Sequence, residues 1–184
     1  TDQGVIGMLD AGDTVTWQKD ELGEVADCVW DTHAFGSIQN AIDATDPGGT
    51  VNVAAGTYLE SLVANKSINL LGGNPADAPV IDGSASFGYA VTINGSGIDV
   101  AIEGVEMTGW SFGGINLQAG DVTLNTSLIA GGSIGINVGS GSLIVTNSTI
   151  TGTNMAAVYV AAGGNGTATV HGSDLSGNLN KAVV

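Results

Sequence analysis

DVAIEGVEMTG, Asp99 to Gly109, is followed at an offset of 22 residues by DVTLNTSLIAG (121–131), and after it come SLIVTNSTITG (142–152) and TATVHGSDLSG (167–177). The four segments align without gaps, and their closing glycines stand 22, 21 and 25 residues apart. Down the columns Val100, Val122, Leu143 and Ala168 coincide, then Ile102, Leu124, Val145 and Val170, then Met107, Ile129, Ile150 and Leu175. Within each segment the apolar period is two, the mark of a strand with one buried face. Between them runs a second set, AVTI (90–93), GINL (114–117), GINV (135–138) and AVYV (157–160), with inward columns Val91, Ile115, Ile136, Val158 and Ile93, Leu117, Val138, Val160. A unit of about 22 residues with two or three short strands cannot bury its apolar side alone, so successive units must stack.

Working outward, KSINLLGG (66–73) puts Ile68 and Leu70 in the columns of Val100 and Ile102, and VIDG (80–83) takes the place of EMTG. GGTVNV opens an earlier coil with Tyr58 to Val63 as its next strand, giving five or six coils in all. Corner residues such as Asn125 and Asn147 are expected to satisfy turn backbone and to ladder between coils. Ahead of the coils, Phe35, Ile38, Ala41 and Ile42 form a helical stripe that Asp46-Pro47-Gly48-Gly49 stops. This helix, at about 34–46, is expected to close the N-terminal end of the core. The expected domains are an acidic lead-in, 1–33, with one strand from Thr14 to Trp17 followed by a charged loop, and a solenoid, 34–184.

The runs F-x-x-I-Q-x-A-I-D-A, P-G-G-T-V-N-V-A-A-G-T-Y-L-E and N-K-S-I-N-L-L-G-G, in the stretch from Phe35 to Gly83, resemble the N-terminal capping region of right-handed parallel β-helix proteins of the pectin lyase-like group. They look closest to the non-catalytic repeats of large bacterial or archaeal surface and secreted proteins. The resemblance implies an all-β, right-handed parallel β-helix with a short N-terminal cap helix. It implies less about function, because that scaffold hosts lyases, hydrolases, esterases, adhesins and phage spikes.

Composition narrows the function. Eighteen acids face three lysines, Lys19, Lys66 and Lys181, with no arginine, for a formal charge of −15. Such a surface repels nucleic acid and anionic lipid, and no apolar run is long enough for a membrane helix. Lyase-like and esterase-like chemistry on this scaffold uses an arginine or lysine beside carboxylates. Here arginine is missing and Lys66 is the one basic residue within the coils, so no catalytic residue is assigned. His33 and His171 have no nucleophile or metal partner in sequence, and the single Cys28 lies in no metal-type spacing. The paired threonines Thr149/Thr151 and Thr167/Thr169 do not repeat on one face, and the calcium-binding nonapeptide is absent. Five N-x-S/T tripeptides, at Asn65, Asn94, Asn125, Asn147 and Asn165, read as glycosylation acceptors in a secretory host, although a chain this rich in Asn, Ser and Thr produces such tripeptides by chance.

Two function classes follow. The first is a structural or adhesive module of a secreted or cell-surface protein, joined through the solenoid ends to another copy or to adjoining domains. Its contact residues are Thr14, Val15 and Trp17 at one end and Ala182, Val183 and Val184 at the other, where Ala182 and Val183 match Ala157 and Val158 in register. The second is a carbohydrate-active enzyme or carbohydrate-binding module that takes an acidic polysaccharide in the lateral groove. For this, Asp99 and Asp121 share a column on consecutive coils about 5 Å apart, a pair that either binds a cation or sits solvated at the strand edge. Trp110, following the coil-ending Gly109, either stacks on a sugar ring or packs on a neighbouring loop. No cofactor is called for, with calcium the one cation the acidic surface suggests.

Overall fold

A computed structural model describes residues 35–183 except 74 and 85, together with two strands ahead of them. Those strands, β1 (Thr14–Gln18) and β2 (Val25–Val29), pair antiparallel with Val15 opposite Cys28 and Trp17 opposite Ala26. The sequence reading places only the first strand there, so β2 is an addition. The helix α1 (Ile38–Ala44) is shorter than expected and buries Ile38 and Ile42. Ser37 caps it by accepting the Asn40 N–H at 3.2 Å, and extended backbone at Thr45 ends it.

From Thr50 the chain winds with three strands to a turn. The first turn comprises β3 (Thr50–Asn52), β4 (Thr57–Tyr58) and β5 (Leu62–Ala64). The second comprises β6 (Ile68–Leu71), β7 (Val80–Asp82) and the start of β8 (Tyr89–Glu103), which bends without a break into the next turn. There follow β9 (Glu106–Thr108), the similarly bent β10 (Gly113–Asn125), β11 (Leu128–Ala130) and β12 (Ile134–Val138). The last strands are β13 (Gly141–Thr146), β14 (Thr149–Thr151), β15 (Ala156–Val160), β16 (Gly166–His171) and β17 (Lys181–Val183).

Equivalent strands stack in parallel into three faces. The first holds β3, β6, the second halves of β8 and β10, β13 and β16; the second holds β4, β7, β9, β11 and β14; the third holds β5, the first halves of β8 and β10, β12, β15 and β17. The chain is therefore a parallel β-solenoid of about five turns. Tyr58 to Val63, read from sequence as one strand, is two, because the chain turns a corner between β4 and β5.

The columns pair as the repeat alignment requires. Val122 stands opposite both Val100 and Leu143, Ile129 opposite Met107 and Ile150, and Ile115 opposite Val91 and Ile136. Their side chains fill one continuous core, and burying each contributes about 1.5–3 kcal/mol relative to exposure. Because each coil covers its neighbours, this stabilisation belongs to the stack rather than to any one turn.

Candidate functional site

At the corner between the first and second faces one backbone N–H per coil leaves the ladder between coils. Gly104, Thr126, Asn147 and Gly172 occupy it on successive coils with φ of 66°, 48°, 50° and 58°. This left-handed bend turns the following N–H out of the strand ladder and toward the next coil. A column of serines receives it. The N–H groups of Val105, Ser127 and Ser148 donate to the Oγ atoms of Ser127, Ser148 and Ser173 at 3.2, 3.1 and 3.1 Å. Each hydroxyl in turn donates to the carbonyl two residues before it, at 2.8, 2.8 and 2.9 Å. The sequence shows this column only as NTS, TNS and HGS within a serine-rich chain, and the repeat alignment above assigns it no role. Asn125 and Asn147 do ladder as expected, the Asn147 Nδ2 donating to the Asn125 Oδ1 at 3.3 Å.

At the N-terminal end three side chains, from α1 and from the corners on either side of β5, close the first coil. Glu60, on the corner between β4 and β5, accepts from the Ile38 and Gln39 N–H groups at 2.8 and 3.0 Å and from the Ser37 hydroxyl at 2.9 Å, satisfying donors that a helix N-terminus leaves free. The Gln39 carboxamide accepts from the Val63 N–H at 2.8 Å and donates to the Val63 carbonyl at 3.2 Å, replacing a neighbouring strand along the outer edge of β5. Lys66 donates to the Asp43 carbonyl at 2.8 Å.

At the other end the described residues are less covered. Leu143, Val145 and Ile150 are fully buried, while their counterparts one coil on, Ala168, Val170 and Leu175, are only partly covered. Among the described residues β16 pairs with β13 alone and β17 with β15 alone, and the Ser173 N–H has no acceptor of the kind the earlier serines have. Asn178 partly closes this end: its Oδ1 accepts from the Thr153 N–H and hydroxyl at 3.0 and 2.8 Å, and its Nδ2 donates to the Ile150 and Leu175 carbonyls at 2.9 and 2.7 Å. Of the residues expected to form the ends, Thr14, Val15 and Trp17 lie in β1, where their backbone is paired with β2. Ala182 and Val183 lie in β17, Val183 opposite Val158 as the register predicts. Val184 falls outside the described residues, as does His33.

Of the lateral residues, Asp99 and Asp121 come together and Trp110 does not join them. Asp99 and Asp121 do stand opposite one another on adjacent coils, both exposed, and Asp121 Oδ1 accepts the Ser142 N–H of the next coil at 2.7 Å. Trp110 needs a correction: it is 3% exposed and its Nε1–H donates to the Ile81 carbonyl at 3.0 Å. Its ring lies over Gly83, where a Cβ would come within 2.2 Å of Cδ2, so the missing side chain of Gly83 makes the room that turns Trp110 inward. It has no free face for a sugar. His171 is exposed at the end of β16, opposite Thr146. Among the described residues no three His, Cys, Asp or Glu side chains converge as a metal site.

A further feature was not anticipated from the sequence. Five large exposed apolar side chains, Leu59, Phe87, Phe112, Met155 and Leu179, all lie in the turns from the second face to the third. Tyr89 and Phe112 meet there with ring centroids 5.8 Å apart.

Comparison with known families, with curated proteins and with solved structures finds no match to this chain.

Proposed function

We propose that this chain is a structural or adhesive solenoid module of a secreted or cell-surface protein, whose C-terminal rung is covered in the working assembly by further coils or by another copy. The observation that carries the reading is the contrast between fully buried Leu143, Val145 and Ile150 and their half-covered counterparts Ala168, Val170 and Leu175. A strand edge with apolar side chains left partly in water is a template for pairing. With the first coil sealed by α1, the β1–β2 hairpin of another copy is the segment that supplies the missing strand, and such a heterologous contact propagates into a filament. The apolar row on the edge between the second and third faces fits an adhesive surface. The stretch from Phe35 to Gly83, with its cap helix and Gln39 edge contact, supports reading the module as a right-handed β-helix of the pectin lyase-like kind.

The carbohydrate reading retains only Asp99 and Asp121, since Trp110 is in the core. Two measurements separate the readings. Light scattering on the full chain and on a chain lacking residues 1–33 should show large species that the deletion abolishes; a full chain that stays monomeric at high concentration overturns the assembly. Assays for unsaturated products, reducing ends and ester loss on acidic polysaccharides should show no turnover, and turnover abolished by Asp121→Asn would overturn the structural reading.

A further inference from the structure

The five N-x-S/T tripeptides are alike in sequence, but the fold separates two of them from the rest. Asn94 sits at the bend of β8 and Asn165 just before β16, both on the edge where the third face turns into the first. Asn94 and its partner Ser96 are exposed, as are Asn165 and Thr167. None of these four side chains has a hydrogen-bond partner among the described residues.

The other three are engaged. Asn125 Oδ1 accepts from the Thr146 hydroxyl at 3.0 Å and from Asn147 Nδ2 at 3.3 Å. The hydroxyl that completes the Asn125 tripeptide belongs to Ser127, which is 6% exposed and bonded as donor and acceptor within the serine column. Asn147 is fixed at φ 50° and already directs its Nδ2, the atom a glycan would take, onto Asn125. Asn65 is exposed, but its Ser67 hydroxyl accepts the Asp99 N–H at 3.0 Å and the intervening Lys66 is tied to Asp43.

We propose that Asn94 and Asn165 are the acceptor sites for N-linked glycan in the folded protein, with a lipid-phosphate-linked oligosaccharide as the donor. In the transfer the side-chain nitrogen bonds to the anomeric carbon of the donor and gives up one of its two protons. The bond from that carbon to the phosphate oxygen breaks, and the lipid phosphate leaves with the electron pair. Glycosylation needs both the amide and the hydroxyl two residues on, and these two sites alone present both free of other bonds. They lie three coils apart, roughly 14 Å by the spacing of strands, so both can be occupied by a bulky, solubilising group. The edge they share is not the one that carries Leu59, Phe87 and Phe112, so glycans there leave the apolar row uncovered.

The test uses the folded full chain with a single-subunit oligosaccharyltransferase that reads N-x-S/T and a lipid-linked oligosaccharide, followed by intact-mass and glycopeptide mass spectrometry. Short peptides spanning each of the five tripeptides serve as positive controls and should all be modified. The folded chain should gain two glycans, at Asn94 and Asn165, with Ser96→Ala losing the first and Thr167→Ala the second. An unmodified folded chain overturns the proposal. So does modification of Asn65, Asn125 or Asn147 as fast as Asn94, which would show that burial of the amide and hydroxyl does not select the site.

Discussion

Replacing Ser148 by alanine isolates what the serine column contributes. The Ser148 Oγ accepts the Ser127 N–H at 3.1 Å and donates to the Thr146 carbonyl at 2.8 Å, in a residue that is 3% exposed. Alanine fits the same space, so packing is almost unchanged. What changes is that the Ser127 N–H stays in a dry corner with no acceptor, which costs about 1–3 kcal/mol, and a second bond worth about 1 kcal/mol is lost. The expected total is about 2–4 kcal/mol. With a urea dependence of about 2 kcal/mol per molar, the unfolding midpoint should fall by about 1–2 M. Ser173→Ala is the internal comparison. It removes the same two kinds of bond, at 3.1 and 2.9 Å, but in a half-exposed residue of the last coil, where water replaces the lost partners. Its cost should stay below about 1 kcal/mol. Urea melts followed by far-ultraviolet circular dichroism measure both variants. If Ser148→Ala unfolds at the wild-type midpoint, or Ser173→Ala costs as much, the column is not what joins the coils at this corner.

Four further outcomes are expected. Thr126 holds φ 48° where other coils place glycine or asparagine, so Thr126→Asn should relieve strain and raise stability by roughly 1 kcal/mol, read as a higher urea midpoint. Glu60→Ala removes the bonds at 2.8, 3.0 and 2.9 Å at the start of α1 and should cost about 1–2 kcal/mol, with faster hydrogen exchange at Ile38 and Gln39 but not in β9 or β11. Gly83→Ala would drive a methyl into the Trp110 ring and should destabilise by about 1–3 kcal/mol, with a shift in tryptophan emission that a surface change at this edge would not produce. The Asp174 carboxylate is held below the usual aspartate range by the Ser176 N–H, bonded at 2.8 Å, and then by the Ser176 hydroxyl; because the folded group is the stronger acid, its contribution to stability is present above the unfolded pKa and fades as pH falls through the folded one. In an NMR titration Ser176→Ala should move the Asp174 midpoint part of the way up, since the N–H remains; no movement would remove the hydroxyl from the account.

The sequence made the columns legible because alternation and glycine spacing act together. A slip of one residue would turn Val122 and Leu124 outward, so the apolar pattern admits one register, and the observed pairing of Val122 with Val100 and Leu143 follows it. The same logic gives no answer at corners, where alternation stops. Trp110 follows Gly109 in such a corner, and its direction depends on the empty space over Gly83, 27 positions back in the chain. The Glu60 cap is illegible for a similar reason: it joins elements more than 20 residues apart, and a lone glutamate before a short strand carries no local signal. The serine column is hidden by composition. Its hydroxyls matter only because a left-handed residue precedes each, and Gly104, Thr126, Asn147 and Gly172 share no side-chain chemistry that would mark the bend.

Each coil of a parallel solenoid needs a partner for its backbone above and below, and this chain meets that need in three ways. In the middle the next coil supplies it. At the corner, where the strand ladder lapses, a serine hydroxyl bridges one coil to the next. On the first coil, which α1 precedes, the Gln39 carboxamide satisfies both the N–H and the carbonyl of Val63 and so ends the ladder. The last described coil has no equivalent of Gln39 for β16, and Asn178 reaches only the turn beside Thr153.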